Sequence, residues 1–257
     1  MTDMLAITRK EKIKELLAEK KSVTVAELAK MFNRTEETIR RDLTQLEAEG
    51  FLKRIYGGAY IEDIVQSDVD VKLREKIMVK DKEIIANECA KHIMDGESIF
   101  LDASTTSLYI ATKIKNRRLT VITNSLKIAN LLSAAESIRL LMIGGILDNS
   151  SLSFVGKNAQ ADMMQYFVDK AFISCRSIHL KTGITDSNEQ QAEVRKLAIK
   201  HSNHVYLVVD HTKFDKTSFA LIGQIDEIDT VVVNRPLPPE WVEAFQANNV
   251  NIIQPEN

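Results

Sequence analysis

The stretch Thr35-Glu-Glu-Thr-Ile-Arg-Arg-Asp-Leu-Thr-Gln-Leu-Glu-Ala-Glu49 decides the fold of the N-terminal part of this chain. Ile39, Leu43 and Leu46 recur at steps of four and three, so they form one apolar stripe along a helix. At about 100° per residue, Glu37, Arg41, Thr44 and Ala48 fall on the opposite side, with Thr38 and Arg40 on the flanks. Thr35 has the hydroxyl of a helix N-cap. A short amphipathic segment, Thr24 to Phe32, comes just before, and its Thr24 and Glu27 stand at the spacing of a capping box. Only Asn33 and Arg34 separate the two segments. That is the spacing of a helix-turn-helix, whose second helix lies in the major groove of DNA.

Working outward, a helix from about Thr8 to Lys20 places Ile13, Leu16 and Leu17 on one side and completes a three-helix core. Gly50 ends the recognition helix as a C-terminal cap does. Leu52, Ile55 and the Gly57-Gly58 pair then predict a short hairpin, the wing of a winged helix. A pair of arginines on a helix is more often a solvated face than a binding surface; the flanking elements turn the reading toward DNA. The candidate DNA-facing residues are Arg34, Thr35, Glu37, Thr38, Arg40, Arg41, Thr44, and, on the wing beside the phosphates, Lys53 and Arg54. The expected partner is double-stranded operator DNA.

The upstream "VTVAELAKMFN" (23–33) and "TIRRDLTQLEAEGFLKRIYGGA" (38–59) resemble the N-terminal signature of the DeoR family of bacterial transcriptional regulators. Members commonly carry Val-Ser before the recognition helix, where this chain has Arg34-Thr35. Thr35 keeps the capping hydroxyl, and Arg34 adds a charge next to the groove.

A length of 257 residues fits two domains: a winged helix-turn-helix over 1–60, a linker over 61–76 and an α/β domain over 77–257. Residues 1–60 hold 12 Lys/Arg and 10 Asp/Glu, against 22 and 26 in the rest, for a formal net charge of −2 overall. The global charge does not mark a nucleic-acid binder; the local cluster of Arg34, Arg40, Arg41, Lys53 and Arg54 does. So small a patch gains from pairing, and a homodimer or homotetramer is expected. The N-terminus lacks a basic region followed by an apolar run, and no segment reaches the length of a membrane span, so a cytoplasmic protein with no membrane partner is expected. Cys89 and Cys175 read as buried reduced thiols. His201 and His204 form an HxxH pair without an evident third ligand, and neither a metal nor a cofactor is expected.

From Ser98 onward, apolar strands alternate with helices. Strands are predicted at 98–102, 119–123, 138–143, 170–174, 205–209, 230–233 and 250–253, which means a mostly parallel sheet covered on both faces. Strand order is not legible. Ligands of such sheets bind at the carboxyl ends of the strands. Those ends carry Asp102-Ala-Ser-Thr-Thr-Ser107, Thr123-Asn-Ser125, Gly144-Gly145 and Asp210-His-Thr-Lys213. Hydroxyls at a helix N-terminus can hold a phosphate, glycines admit a ligand to the backbone, and Lys213 can neutralise an anion. Each signal alone is ordinary, since Ser/Thr after a strand is commonly a plain cap.

The blocks "SIFLDASTT", "TVITNSLKIANLL", "LLMIGG", "SFVG", "DKAFIS", "GITDSN" and "VVDHTKFDKTSF" resemble the effector domain of the same family, similar in fold to ribose-5-phosphate isomerase and the CoA transferases. The resemblance implies a phosphorylated sugar or related metabolite as effector. It places the phosphate on Ser104, Thr105 and Thr106, and Asp102, Asn124, Gly144, Gly145, Asp186, Glu193, Lys196 and Lys213 around the rest. The bland reading of Glu193 and Lys196 is a surface ion pair at helical spacing. Members usually have glycine at Ser104 and a basic residue soon after the Gly-Gly pair, where this chain has Ile146-Leu147-Asp148. Arg176, in an atypical Cys175-Arg176-Ser177, can replace that basic group. The leading expectation is a repressor of a carbohydrate-metabolism operon without enzymatic activity. The alternative is an active sugar-phosphate isomerase fused to a DNA-binding domain, with Asp102, Glu193 and Lys213 as candidate catalytic groups.

Overall fold

The computed structural model describes residues 6–20, 22–60, 75 and 78–255. The expected linker, 61–76, lies outside the described residues except for Glu75. The chain divides into two compact units, Met1–Met78 and Val79–Asn257.

The first unit runs α1 (Ala6–Lys20), β1 (Ser22–Thr24), α2 (Val25–Phe32), α3 (Glu36–Ala48), β2 (Lys53–Ile55) and β3 (Gly58–Tyr60). Thr24 and Glu27 close a capping box on α2, and Asn33 ends that helix with φ 50°. Thr35 caps α3 by accepting from the Thr38 amide. At the other end Gly50 takes φ +73°, its N–H donates to Glu47 and that of Phe51 to Leu46, a Schellman cap. The predicted hairpin pairs Lys53 with Tyr60 and Ile55 with Gly58. Strand β1, which the sequence reading did not anticipate, adds to the other side of β3. The Gly58 position admits no side chain, because a Cβ there would lie 2.4 Å from the Val23 carbonyl oxygen.

The second unit contains α4 (Val79–Lys91), β4 (Ser98–Leu101), α5 (Thr105–Ile114), β5 (Leu119–Thr123), α6 (Leu126–Leu132), β6 (Ile138–Met142), β7 (Ile146–Asp148), β8 (Ser153–Val155), α7 (Lys157–Met163), β9 (Val168–Ile173), β10 (Ser177–His179), β11 (Gly183–Asp186), α8 (Glu189–Lys200), β12 (Ser202–Val209), β13 (Ala220–Gly223), β14 (Thr230–Val233), α9 (Pro239–Ala247) and β15 (Asn251–Ile253). All seven strands of the main sheet coincide with predicted ones. They are parallel, in the order β15-β14-β12-β9-β4-β5-β6. Successive side chains alternate between two cores, as the strand period requires. Ile99 and Leu101 pack with Ile85, Ile110 and Ile128 on one face. Phe100, Ala171 and Ile173 pack with Met163, Ala198, Trp241 and Phe245 on the other. The hairpin β7–β8 and the small antiparallel sheet β10-β11-β13 were not predicted.

The stripe Ile39, Leu43 and Leu46 is buried as expected, but so is Asp42, one turn from Ile39. Arg9 of α1 meets its carboxylate with two hydrogen bonds, at 2.6 and 3.2 Å, both side chains being under a tenth exposed. Arg9→Ala leaves that carboxylate buried and uncompensated, and the unit is expected to lose about 3–5 kcal/mol. Arg9→Met with Asp42→Leu is expected to recover most of the loss. Hydrogen exchange across residues 6–60 measures both; full protection in Arg9→Ala contradicts this account.

Candidate functional site

On the first unit, Glu37, Arg40, Arg41 and Thr44 lie exposed on α3, away from the core stripe, and Arg34 and Thr38 are half-buried. The two arginines differ. Arg40 bonds Glu36 at 2.6 Å and lies 3.8 Å from Glu37. Arg41 makes no ion pair among the described residues. Thr44 turns its hydroxyl back to the Arg40 carbonyl. On the wing, the Arg54 amide and guanidinium donate to Glu47 at 2.9 and 2.6 Å. Those bonds hold the Glu47 carboxyl below its usual range and tie the wing to the end of α3. Lys53 stands exposed beside it.

In the second unit, strand order locates the site. From β4 the chain moves outward one way to β5 and β6, then returns to β9 on the other side of β4 and continues outward to β12, β14 and β15. The order therefore reverses between β4 and β9, and a crevice forms outside the carboxyl ends at such a switch point. Asp102 follows β4 there. Its Oδ1 accepts from the Ser104 amide at 3.1 Å and the Ser107 hydroxyl at 2.6 Å. Its Oδ2 accepts from the Ser174 amide, across on β9, at 3.0 Å and from Arg195 Nε at 2.6 Å. Arg195 also donates to Asp186, after β11, at 2.5 Å. Burial disfavours the guanidinium charge, but the two carboxylates raise its pKa above the ordinary value.

Sequence reasoning passed over Arg195 in favour of its neighbours. Glu193 and Lys196 bond each other at 2.7 Å on a half-exposed face of α8, the bland reading of that pair. A carboxylate has about four acceptor positions, and those of Asp102 are all taken. It is a buried junction, not a group free to face a ligand or abstract a proton.

Ser104 is the N-cap of α5, accepting from Ser107 N, and Thr105 and Thr106 occupy its buried first turn. Asn124 follows β5, buried, with its Nδ2 on the Phe154 carbonyl. Gly144 and Gly145 follow β6, and at Gly145 the chain itself leaves no room for a side chain. Gly145 has φ +134°, and a Cβ would lie 2.5 Å from the Val155 carbonyl oxygen; the Gly144 amide donates to Asp162. Arg176 is buried after β9. Gln191, Ser151, Ser153, Asp148 and Asn188 form a hydrogen-bonded cluster joining the β7–β8 hairpin to α8, also unforeseen. Burial opposes the Asp148 charge, yet hydrogen bonds from Ser151 and Ser150 hold its carboxyl below the usual range.

Asp210 and Lys213 lie beyond β12, 3.8 Å apart. From β6 to β12 is four strand steps, about 19 Å at the usual spacing. A monosaccharide phosphate is shorter than that separation of strand ends. Loops at the ends of β12 and β14 reach α4, the first helix after the expected linker. Asn234 donates to Asp81 at 2.6 Å and accepts from the His211 amide at 2.8 Å. Cys175 lies buried in this region, and burial pushes its thiol up to about 12. Cys89, in α4, is also buried and shifted upward. His201 stacks on Phe167 and His204 bonds Thr230. Among the described residues no cluster of three or more His, Cys, Asp or Glu is placed to hold a metal, and no described helix is long and apolar enough to cross a membrane.

A winged helix-turn-helix joined to an α/β unit with a crevice at its switch point defines a ligand-responsive DNA-binding regulator. The DeoR-like helix-turn-helix domain matches residues 9–65 and the DeoR C terminal sensor domain matches 77–235, and the chain belongs to the DeoR family of transcriptional regulators. It is similar to the HTH-type transcriptional regulator YulB of Bacillus subtilis (strain 168), 39% identical over 97% of this chain and 96% of that one. It is 30% identical to the HTH-type transcriptional repressor GlcR of the same organism, over 95% of this chain and 94% of that one. Among solved structures, ribose 5-phosphate isomerase A from Methanocaldococcus jannaschii aligns at 20% identity over 52% of this chain and 53% of that chain, with a TM-score of 0.39. The chain is a regulator and not an isomerase with a DNA-binding appendage.

Asp210 supplies a test of the electrostatics. Burial works against its charge, but Lys213, the Thr212 hydroxyl and amide, and Lys82 bring its carboxyl down to about 2. The folded value lies below the ordinary unfolded value of about 3.9. Asp210 thus adds stability that is present above about pH 4 and is lost as the pH falls through about 2. Lys213→Met raises the folded value, so its acid-unfolding midpoint is expected at higher pH than wild type, read by Trp241 fluorescence. Coincident acid curves contradict the assignment.

Proposed function

We propose that this regulator represses a carbohydrate-metabolism operon in the cytoplasm, and that a phosphorylated sugar or related small anion controls its hold on the operator. The observation that carries the effector class is the hydroxyl-rich first turn of α5, Ser104-Thr105-Thr106, opening at the switch point where helix N–H groups and the helix dipole favour an anion. Lys213, two strand steps away, serves the far edge of the crevice or a longer ligand. Repression is supported by the similarity to a protein named a transcriptional repressor.

On this reading α3 enters the major groove. Arg41 reads a base edge, with Glu37, Thr38 and Thr44 beside it. Arg34 and Thr35 lie at the helix start, Arg40 is partly held by Glu36, and Lys53 and Arg54 meet the phosphates. The patch is small, which supports binding as a homodimer or homotetramer to paired half-sites. Effector control requires different affinities for the two functional states. The Asp81–Asn234–His211 contacts offer a physical route, because they join the β12 loop to the first turn of α4.

Arg41→Ala is expected to weaken operator binding by about 1–3 kcal/mol and to relax preference at one base. Arg40→Ala is expected to cost less. Fluorescence anisotropy at fixed salt compares the two, and operator affinity unchanged in Arg41→Ala contradicts the assignment.

For the sensor, a thermal-shift screen of sugar phosphates finds the best ligand, and calorimetry compares wild type with Thr105→Ala/Thr106→Ala. The variant is expected to lose about 1–3 kcal/mol for each charge-assisted bond removed, with a parallel loss of effector response in operator binding. Equal affinities place the anion elsewhere.

A further inference from the structure

The main sheet has two edges, and they are guarded differently. Strand β15 is short, Asn251–Ile253, and the chain reaches Pro255 just after it. Shortness and proline are common protections of an edge. Strand β6, Ile138-Arg-Leu-Leu-Met142, is longer, with no proline, no glycine and a single charge, Arg139. Among the described residues, no strand pairs with its outer side.

The ladder with β5 tells which backbone groups of β6 face outward. The Ile143 amide donates to the Thr123 carbonyl, and Met142 lies opposite Thr123 in the parallel register. Successive residues of a strand turn their N–H and C=O to alternate sides. Arg139, Leu141 and Ile143 therefore turn theirs to β5, and Leu140 and Met142 turn theirs to the open side. The Ile138 carbonyl faces out as well, while its amide donates to Ala135. Met142 is 37% exposed, and Ile146 and Leu147, just beyond it in the chain, are also exposed, as is Leu126 at the start of α6. A row of unpaired backbone groups bordered by apolar side chains is a template for another strand.

We infer that β6 is the strand through which two copies of this chain join, paired antiparallel about a two-fold axis that passes through Leu140 perpendicular to the sheet. The inference rests on the homo-oligomer proposed above and adds to it which surface makes the contact. Such an axis keeps each face of the sheet continuous from one copy to the next. Ile138 and Leu140 then stay on the face that packs with Ile110, and Leu141 on the face that packs with Phe100. Centring the pair on Leu140 overlaps the whole of both strands. The Leu140 amides and carbonyls bond each other across the axis, and each Met142 amide meets the Ile138 carbonyl of the second copy. Centring it on Arg139 would set two guanidiniums directly opposite, which is destabilising; centred on Leu140, Arg139 faces Leu141 instead. Charge also favours a second copy as the occupant. The antiparallel arrangement lays the start of one β6, preceded by Glu136, against the end of the other, where α6 begins with Leu126-Lys127. Opposite charges are thus brought to the same end, twice.

Sedimentation velocity of the full-length protein tests this. Wild type is expected to sediment as a dimer or tetramer. Met142→Glu, which carries a carboxylate toward Glu136 of the second copy, is expected to raise the dissociation constant about tenfold or more. Met142→Pro removes an outward N–H and no bond to β5, and is expected to shift the equilibrium the same way. A second measurement leaves the protein unaltered. Amide-resolved hydrogen exchange is expected to find Leu140 and Met142 protected along with Arg139 and Leu141, and dilution of the assembly is expected to release Leu140 and Met142 alone. An assembly that both variants leave intact, or fast exchange at Leu140 and Met142 within the wild-type assembly, overturns this inference and leaves the homo-oligomer reading standing. If wild type sediments as a monomer, that reading fails and the inference with it; protection of the two amides in such a monomer would assign the edge to a segment of the same chain.

Discussion

Arg195 joins three parts of the sensor unit that are distant in sequence. Its guanidinium, from α8, holds Asp102 at the end of β4 and Asp186 at the end of β11. Burying three charges is expensive unless every donor and acceptor is satisfied. Asp102 meets that condition through Ser104, Ser107 and Ser174 as well as Arg195, so one carboxylate fixes the start of α5 and the end of β9 together. Removing the guanidinium would leave two buried carboxylates facing each other, and losses of about 3–5 kcal/mol follow from breaking such pairs. The junction fixes the ends of β4 and β11 against α8.

The junction also bears on the candidate catalytic groups of the isomerase alternative. Isomerisation needs a carboxylate poised to take a proton. Asp102 is at the right strand end, but its acceptor positions are full. Glu193 is paired with Lys196 on the half-exposed face of α8, and Lys213 stands beside Asp210. Among the described residues, the switch point also holds the N-terminus of α5 with its hydroxyls and, after β9, the buried Arg176.

Much of this was legible in the sequence. The seven parallel strands announce themselves as short apolar runs between turn residues, and the caps at Thr24, Thr35 and Gly50 are local signals that the structure keeps. Strand order was not legible, because each βα unit looks alike along the chain, and with it went the position of the switch point. The β7–β8 hairpin and the β10-β11-β13 sheet are built of strands of three or four residues, too short for a period to register. Arg195 left a signal that was overlooked. It falls on the buried stripe of α8 with Gln191, Ala198 and Ile199, whereas Glu193 and Lys196 fall off it. Asp42 shows the same pattern on α3, one step from Leu43 on the core side. A charge on the apolar stripe implies a buried partner, but a single sequence does not say which.

The reversal between β4 and β9 also sets an order of events while the chain is being made. Strand β4 pairs with residues about 70 positions later, Ile99 lying opposite Lys170, and Arg195 emerges later still. Among the described residues, the buried core of the first unit comes from positions between Ile13 and Ala59, with the partly buried Met78 packed against it. Domains fold as units in the order they leave the ribosome. The DNA-binding unit thus has its core partners in hand while the middle of the sensor sheet still lacks its neighbour. A polypeptide released before β9 would carry a finished DNA-binding unit and an open β4 edge, the kind of strand that recruits other chains. A chain stalled there exposes a strand edge prone to aggregation and lacks both β9 and Arg195, so its sensor unit is unfinished on the side where the strand order reverses.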